Sequence, residues 1–86
     1  MTTEPSLVIE LTPEAFKNCR EKPQYKFLVE VSQAEPGKSI EIVGDDAILS
    51  FDTVLAILED EGYEYDVLER DDLLGTYRIL AVKKKR

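Results

Sequence analysis

Residues 50–62 read "SFDTVLAILEDEG", and each part of the stretch argues for one helix with two defined ends. Ser50 supplies a hydroxyl oxygen for a free N–H of the first turn, and Asp52 sets a negative charge at the positive end of the helix dipole. Val54, Leu55, Ile57 and Leu58 form one apolar stripe. Gly62 stands just past the last turn, where a helix commonly closes. The helix is predicted to start after Ser50 and to stop before Gly62.

On both sides the period changes. Upstream, "SIEIV" at 39–43 alternates polar and apolar residues as a strand with one buried face does, and Gly44-Asp45-Asp46 is expected to break it. Downstream, Tyr63, Tyr65 and Val67 fall on one side of a strand over 63–70 and Glu64 and Asp66 on the other. The turn "DDLLG" at 71–75 separates that strand from a second one over 76–83, making a hairpin.

Further upstream, Pro23 is suited to a first helical position, and Phe27, Leu28, Val31 and Ala34 recur at helical spacing until Glu35-Pro36-Gly37 ends the segment. A helix is predicted over 23–34, although residues 25–31 also favour strand. "SLVIEL" at 6–11 reads as the first strand, and Thr12-Pro13-Glu14 after it as a helix entry leading one or two turns toward Cys19.

The order is thus βαβαββ. Two packed layers satisfy it: an α+β fold, a two-layer α/β sandwich in which a four-stranded mixed sheet carries both main helices on one face. At 86 residues the chain is expected to form a single domain over 1–86, with 1–5 and 84–86 as flexible ends.

Composition excludes several function classes. The longest apolar run, Val54 to Leu58, is far short of the roughly 20 residues of a membrane helix. "MTTEPSLVIE" has no secretory pattern, so a cytoplasmic location and no membrane partner are expected. A net charge of −7 disfavours phosphate backbones, and the basic run at 83–86 reads as a solvated tail, so no nucleic-acid partner is expected. With no histidine, Ser-His and Cys-His catalysis are closed, and a metal site would need carboxylates almost alone. Asp45, Asp46 and Asp52 could supply them, but their spacing reads as loop and cap chemistry, as does Asp71-Asp72 before Gly75. Tyr63, Tyr65 and Tyr77 belong either to the core or to the sheet face opposite the helices, and the sequence leaves both open.

The remaining chemistry rests on "NCREKP" at 18–23, which holds the one cysteine. A lone thiol forms no internal disulfide and is easiest to keep free in a reducing compartment. Ala15, Phe16 and Cys19 fall at helical spacing, which would turn the sulfur toward the core as a small hydrophobe.

From Pro23 onward the chain resembles the TusA/SirA-like sulfur-carrier family. The resemblance lies in Pro23 and its helix up to Pro36-Gly37, Asp45-Asp46 after the second strand, Asp52 opening the next helix, Gly62 before the third strand, and Tyr77-Arg78-Ile79 leading to Lys83. It implies a persulfide relay, with a cysteine opening a C-P-x-P motif at the first helix, protein partners that donate or accept sulfur, and no cofactor. If Pro23 is the motif's second proline, Arg20 stands in the cysteine position and Glu21 in that of the first proline, with Cys19 one residue early. The connection before it, containing "TPEAFKN", is longer than the family's. Cys19 is the candidate sulfur acceptor, with Arg20, Glu21 and Pro23 as its motif neighbours. Free helix N–H groups and the cations of Arg20 and Lys22 would favour its thiolate. The alternative is a noncatalytic adaptor or regulatory domain that keeps the fold and binds a protein partner without the relay. The oligomeric state is left open.

Overall fold

Alternation along the strands fixes which side of the sheet is buried, and one row of isoleucines shows it. In the computed structural model, which describes residues 7–18 and 20–84, Ile9, Ile42 and Ile79 stand side by side on adjacent strands and all three are buried. The elements follow the predicted order: β1 (Leu7–Leu11), α1 (Pro23–Gln33), β2 (Ser39–Asp45), α2 (Phe51–Asp60), β3 (Tyr63–Asp71) and β4 (Thr76–Lys83). The sheet order is β1-β2-β4-β3. β1 runs parallel to β2, joined through α1, and β4 is antiparallel to both of its neighbours, so the sheet is mixed.

Both helices pack on the same sheet face, although Leu28 of the predicted α1 stripe is 40% exposed and lies outside the core. Phe27 and Val31 of α1 and Val54 and Leu58 of α2 join Ile9, Leu11, Ile40, Ile42 and Ile79 in one apolar cluster. The predicted ends of α2 hold: Ser50 Oγ accepts the Thr53 N–H at 3.3 Å, and Gly62 takes φ +82° after the last turn. That left-handed backbone favours glycine over any residue with a Cβ. No helix among the described residues is long and apolar enough to cross a membrane.

Two boundaries differ from the expectation. β2 does not break at Gly44 but runs on to Asp45, because Gly44 pairs across the ladder with Tyr77, whose ring occupies the space a Cβ would need. Gly44 is thus a close-approach glycine inside a strand, not a turn signal. The segment after β1 forms turns over 12–18 and no helix. The Thr12 cap does form, with Oγ1 accepting the Ala15 N–H at 3.2 Å, and Phe16 N–H donates to Thr12 O, but the helix does not propagate. Ala15 is exposed and Phe16 packs on the core, so the predicted stripe of Ala15, Phe16 and Cys19 is absent at its first member, and its last lies outside the described residues. Of the expected flexible ends, 1–5 and 85–86 lie outside the described residues, whereas Lys84 is tied in by its N–H donating to Gly62 O at 3.1 Å.

The tyrosine question resolves toward the core. Tyr63 and Tyr77 are buried on the helix side, and Tyr65 packs partly against the same cluster. Each buried phenol has an acceptor: Tyr63 OH donates to Val31 O and Tyr77 OH to Leu49 O, both at 2.6 Å. Burial pushes both phenols above their ordinary pKa.

Candidate functional site

The connection from β1 to α1 carries the predicted site residues Cys19, Arg20 and Glu21, and Pro23 opens α1. It is anchored at its start, where Phe16 lies over a cleft of about 240 Å³ lined by Ile9, Leu11, Lys26 and Phe27, and Lys26 Nζ stands 5.3 Å above the Phe16 ring. That cation–π contact links the loop to the first turn of α1. Toward its end, Arg20 and Glu21 are exposed, Lys22 is the N-cap residue, and Pro23 is half-buried as the first residue of the helix. Cys19 lies outside the described residues; its neighbours Asn18 and Arg20 are both exposed.

The two ends of α1 contrast. At its C-terminus, Tyr63 OH caps the Val31 carbonyl and Lys83 Nζ donates to Ser32 O at 3.3 Å and Ala34 O at 3.4 Å. Its N-terminus has no side-chain cap and no acidic residue in the first turn. Proline at the first position brings no N–H, and the N–H groups of Gln24 and Tyr25 precede the first in-helix bond, donated by Lys26 N–H to Lys22 O at 3.0 Å. The positive end of the dipole therefore has no acid within the helix's own first turn, and the carboxylates nearest to it in the chain and across the adjoining cleft are Glu21, just before the N-cap, and Asp52, which lines a cleft with Gln24.

Side-chain charge adds to this. Lys17, Arg20, Lys22 and Lys26 all lie in this loop and helix start, in a chain with 11 Lys and Arg against 18 Asp and Glu. None of the four makes an ion pair among the described residues. A thiol placed there would be held toward its thiolate by the unpaired amides and by cations. Reading the sequence for a cysteine motif picked out Arg20 and Lys22 but passed over Lys17 and Lys26. The local density of basic residues in an acidic chain was the signal for them.

Asp45, Asp46 and Asp71 are engaged by the chain itself. Asp45 Oδ1 accepts the Ala47 N–H at 2.8 Å, and Asp71 Oδ1 accepts the N–H groups of Leu73 and Leu74 at 3.0 Å, both as turn chemistry. Asp46 accepts the Phe51 N–H at 2.9 Å and takes two bonds from Arg70, at 2.8 and 3.2 Å, while the Arg70 guanidinium lies 4.7 Å from the centre of the Phe51 ring. Among the described residues no three His, Cys, Asp or Glu are grouped to hold a metal. A second cleft, of about 650 Å³, begins at Thr12 and Pro13 and runs past Asp45 to Arg70 and Arg78. Both arginines there are already paired, Arg70 with Asp46 and Asp72 and Arg78 with Glu69 and Glu41, so the cleft offers no free cation.

The Arg70 hydrogen bond, and after it the Phe51 N–H, holds the Asp46 carboxyl below its ordinary 3.8. A carboxyl lowered in the folded state adds stability that is present above the unfolded pKa and is lost as pH falls through the folded value. Asp46→Asn is therefore expected to lower the melting temperature near neutral pH. The gap from wild type should close as melts are repeated from about pH 4 downward. A gap that stays constant to the acid end would show that the ion pair contributes nothing.

No protein-family model matches the chain, and no curated protein matches it.

Proposed function

We propose that this protein is a sulfur-handling domain of the TusA/SirA kind, carrying a persulfide on Cys19 between a protein donor and a protein acceptor in a reducing, cytoplasmic compartment. One observation supports the reading: in the sequence the only cysteine stands just ahead of Arg20, Lys22 and Pro23, where exposed basic residues lead into a helix whose N-terminus has no side-chain cap. The βαβαββ order and the helices on a single sheet face are in keeping with the family resemblance.

The chemistry is a transfer without net oxidation. The Cys19 thiolate attacks the outer sulfur of a donor persulfide, a new S–S bond forms at Cys19, the donor's S–S bond breaks, and the donor leaves as a thiolate. The proton of the outer sulfur travels with it, giving a persulfide on Cys19. Arg20, Lys22 and the amides at the start of α1 act by stabilising the negative sulfur, and Pro23 fixes where the helix begins.

Mass spectrometry after incubation with a persulfide donor tests this. The reduced protein is expected to gain one sulfur atom, removable by a thiol reductant, and Cys19→Ser to gain none. Absence of the adduct with a competent donor would leave the second reading, a protein-binding adaptor without the relay. That reading is favoured by Arg20 and Glu21 standing in the motif positions of the cysteine and the first proline. The rate of Cys19 alkylation separates the two directly: a relay thiol reacts fast well below the usual cysteine pKa of about 8.5, and an adaptor's thiol does not.

A further inference from the structure

Helices cover one face of the sheet, and among the described residues no element packs on the other. Strand alternation brings four apolar side chains to that open face: Val8 on β1, Val43 on β2, and Leu80 and Val82 on β4. They are spread over three adjacent strands, a span of about 10 Å, the diameter of a helix, with Glu41 between Val8 and Leu80 and Val43 between Glu10 and Arg78, so the continuous apolar part is Leu80 and Val82 on β4. Leu80 and Val82 floor a groove of about 340 Å³ walled by Glu64 and Asp66 of β3.

The charges on this face have one dominant sign. Glu10, Glu41, Glu64, Asp66 and Glu69 share it with Arg78, which is already bound by Glu69 at 2.7 Å and Glu41 at 3.5 Å. Lys84 reaches Glu64 at 3.8 Å, while Glu10 and Asp66 have no cation among the described residues.

We propose that the open sheet face is a docking surface for an amphipathic, lysine- or arginine-bearing helix of a partner protein. Its leucine-like face would bury on the Leu80–Val82 floor, and its cations would meet Glu64, Asp66 and Glu10. The long stems of lysine and arginine suit the site, covering apolar floor while the charged end meets the acidic wall. A second copy of this chain is a poor occupant, since it brings a net charge of −7 and the same acidic face. Nucleic acid is repelled for the same reason. The surface is separate from the cationic loop and does not depend on sulfur transfer.

The test is an NMR titration of the purified protein with a synthetic helical peptide of about four turns, leucines on one side and lysines on the other. A scrambled peptide of the same composition serves as control. Amide shifts are expected along β3 and β4 around Glu64, Asp66, Leu80 and Val82. The scrambled peptide should bind about tenfold more weakly, as should the ordered peptide to Glu64→Lys/Asp66→Lys. Both replaced side chains are exposed, and a thermal melt checks that the variant is folded. Cys19→Ser should bind like wild type, so a failed sulfur assay leaves this result standing, and the reverse. Equal binding of the scrambled peptide, shifts centred on residues 59–61 at the end of α2, an unchanged Kd in the charge-reversed variant, or a dimer in sedimentation that buries the face would each overturn the proposal.

Discussion

Gly44→Ala is expected to destabilise the domain by about 3 kcal/mol, read as a lower urea midpoint with an unchanged slope. A Cβ at this position would come to 2.5 Å from Cε1, Cζ and Oη of Tyr77. The ring has little freedom to withdraw. Its hydroxyl is bonded to Leu49 O at 2.6 Å and it packs against Phe51 with centroids 5.5 Å apart, inside a cluster where Tyr77 is 2% exposed. Moving it breaks the bond and leaves a buried phenol and a carbonyl unpaired, which adds to the overpacking. The same substitution in a Tyr77→Val background should change sign. With the ring gone, alanine replaces a strand-interior glycine in open space, a gain of up to about 1 kcal/mol. A similar loss in both backgrounds would show that Tyr77 is not the obstacle.

Phe27→Ala is expected to cost about 3–5 kcal/mol. A domain of this size has roughly 4–13 kcal/mol in all, so the variant stands close to unfolding. Phe27 is fully buried, and it joins α1 to the sheet beside Ile9 and Leu11 while also lining the cleft under Phe16. Truncation thus opens a void at the one place where the β1–α1 loop, the helix and the edge strand meet. Phe27→Leu, which keeps most of the volume, should lose about 1 kcal/mol. Equilibrium urea unfolding of the three proteins checks both figures, and an alanine variant within 1 kcal/mol of wild type, by about that margin, would mean the site collapses onto itself.

The parts of the fold that were legible are those whose causes are local. Ser50, Asp52 and Gly62 delimit α2 from within its own sequence, and the turn residues 71–75 announce the hairpin. What escaped depends on a partner elsewhere in the chain. Gly44 reads as a breaker until Tyr77 is placed over it. The tyrosines are ambiguous because their hydrogen-bond acceptors, Val31 O and Leu49 O, are backbone atoms of other elements. Thr12-Pro13 gave a true cap but an incorrect helix, since one turn carries the full nucleation cost and Ala15, left exposed, adds no packing to extend it. At the candidate site, sequence located the loop and the helix start. It did not show that α1 would be fastened at one end and bare at the other, because both fasteners come from β3 and β4.

Those fasteners also guard against misassembly. Sliding β4 one residue along its neighbours would turn Tyr77 and Lys83 to the wrong side of the sheet and leave the Leu49, Ser32 and Ala34 carbonyls without donors. A slipped β3 would strand the Tyr63 hydroxyl in the same way. An all-hydrocarbon core could tolerate such shifts with modest loss, whereas three polar tips with fixed acceptors, one each for Tyr63 and Tyr77 and two for Lys83, make the wrong alignments expensive. Their chief effect is to widen the gap between the correct chain threading and its near misses, so the sheet closes in a single arrangement.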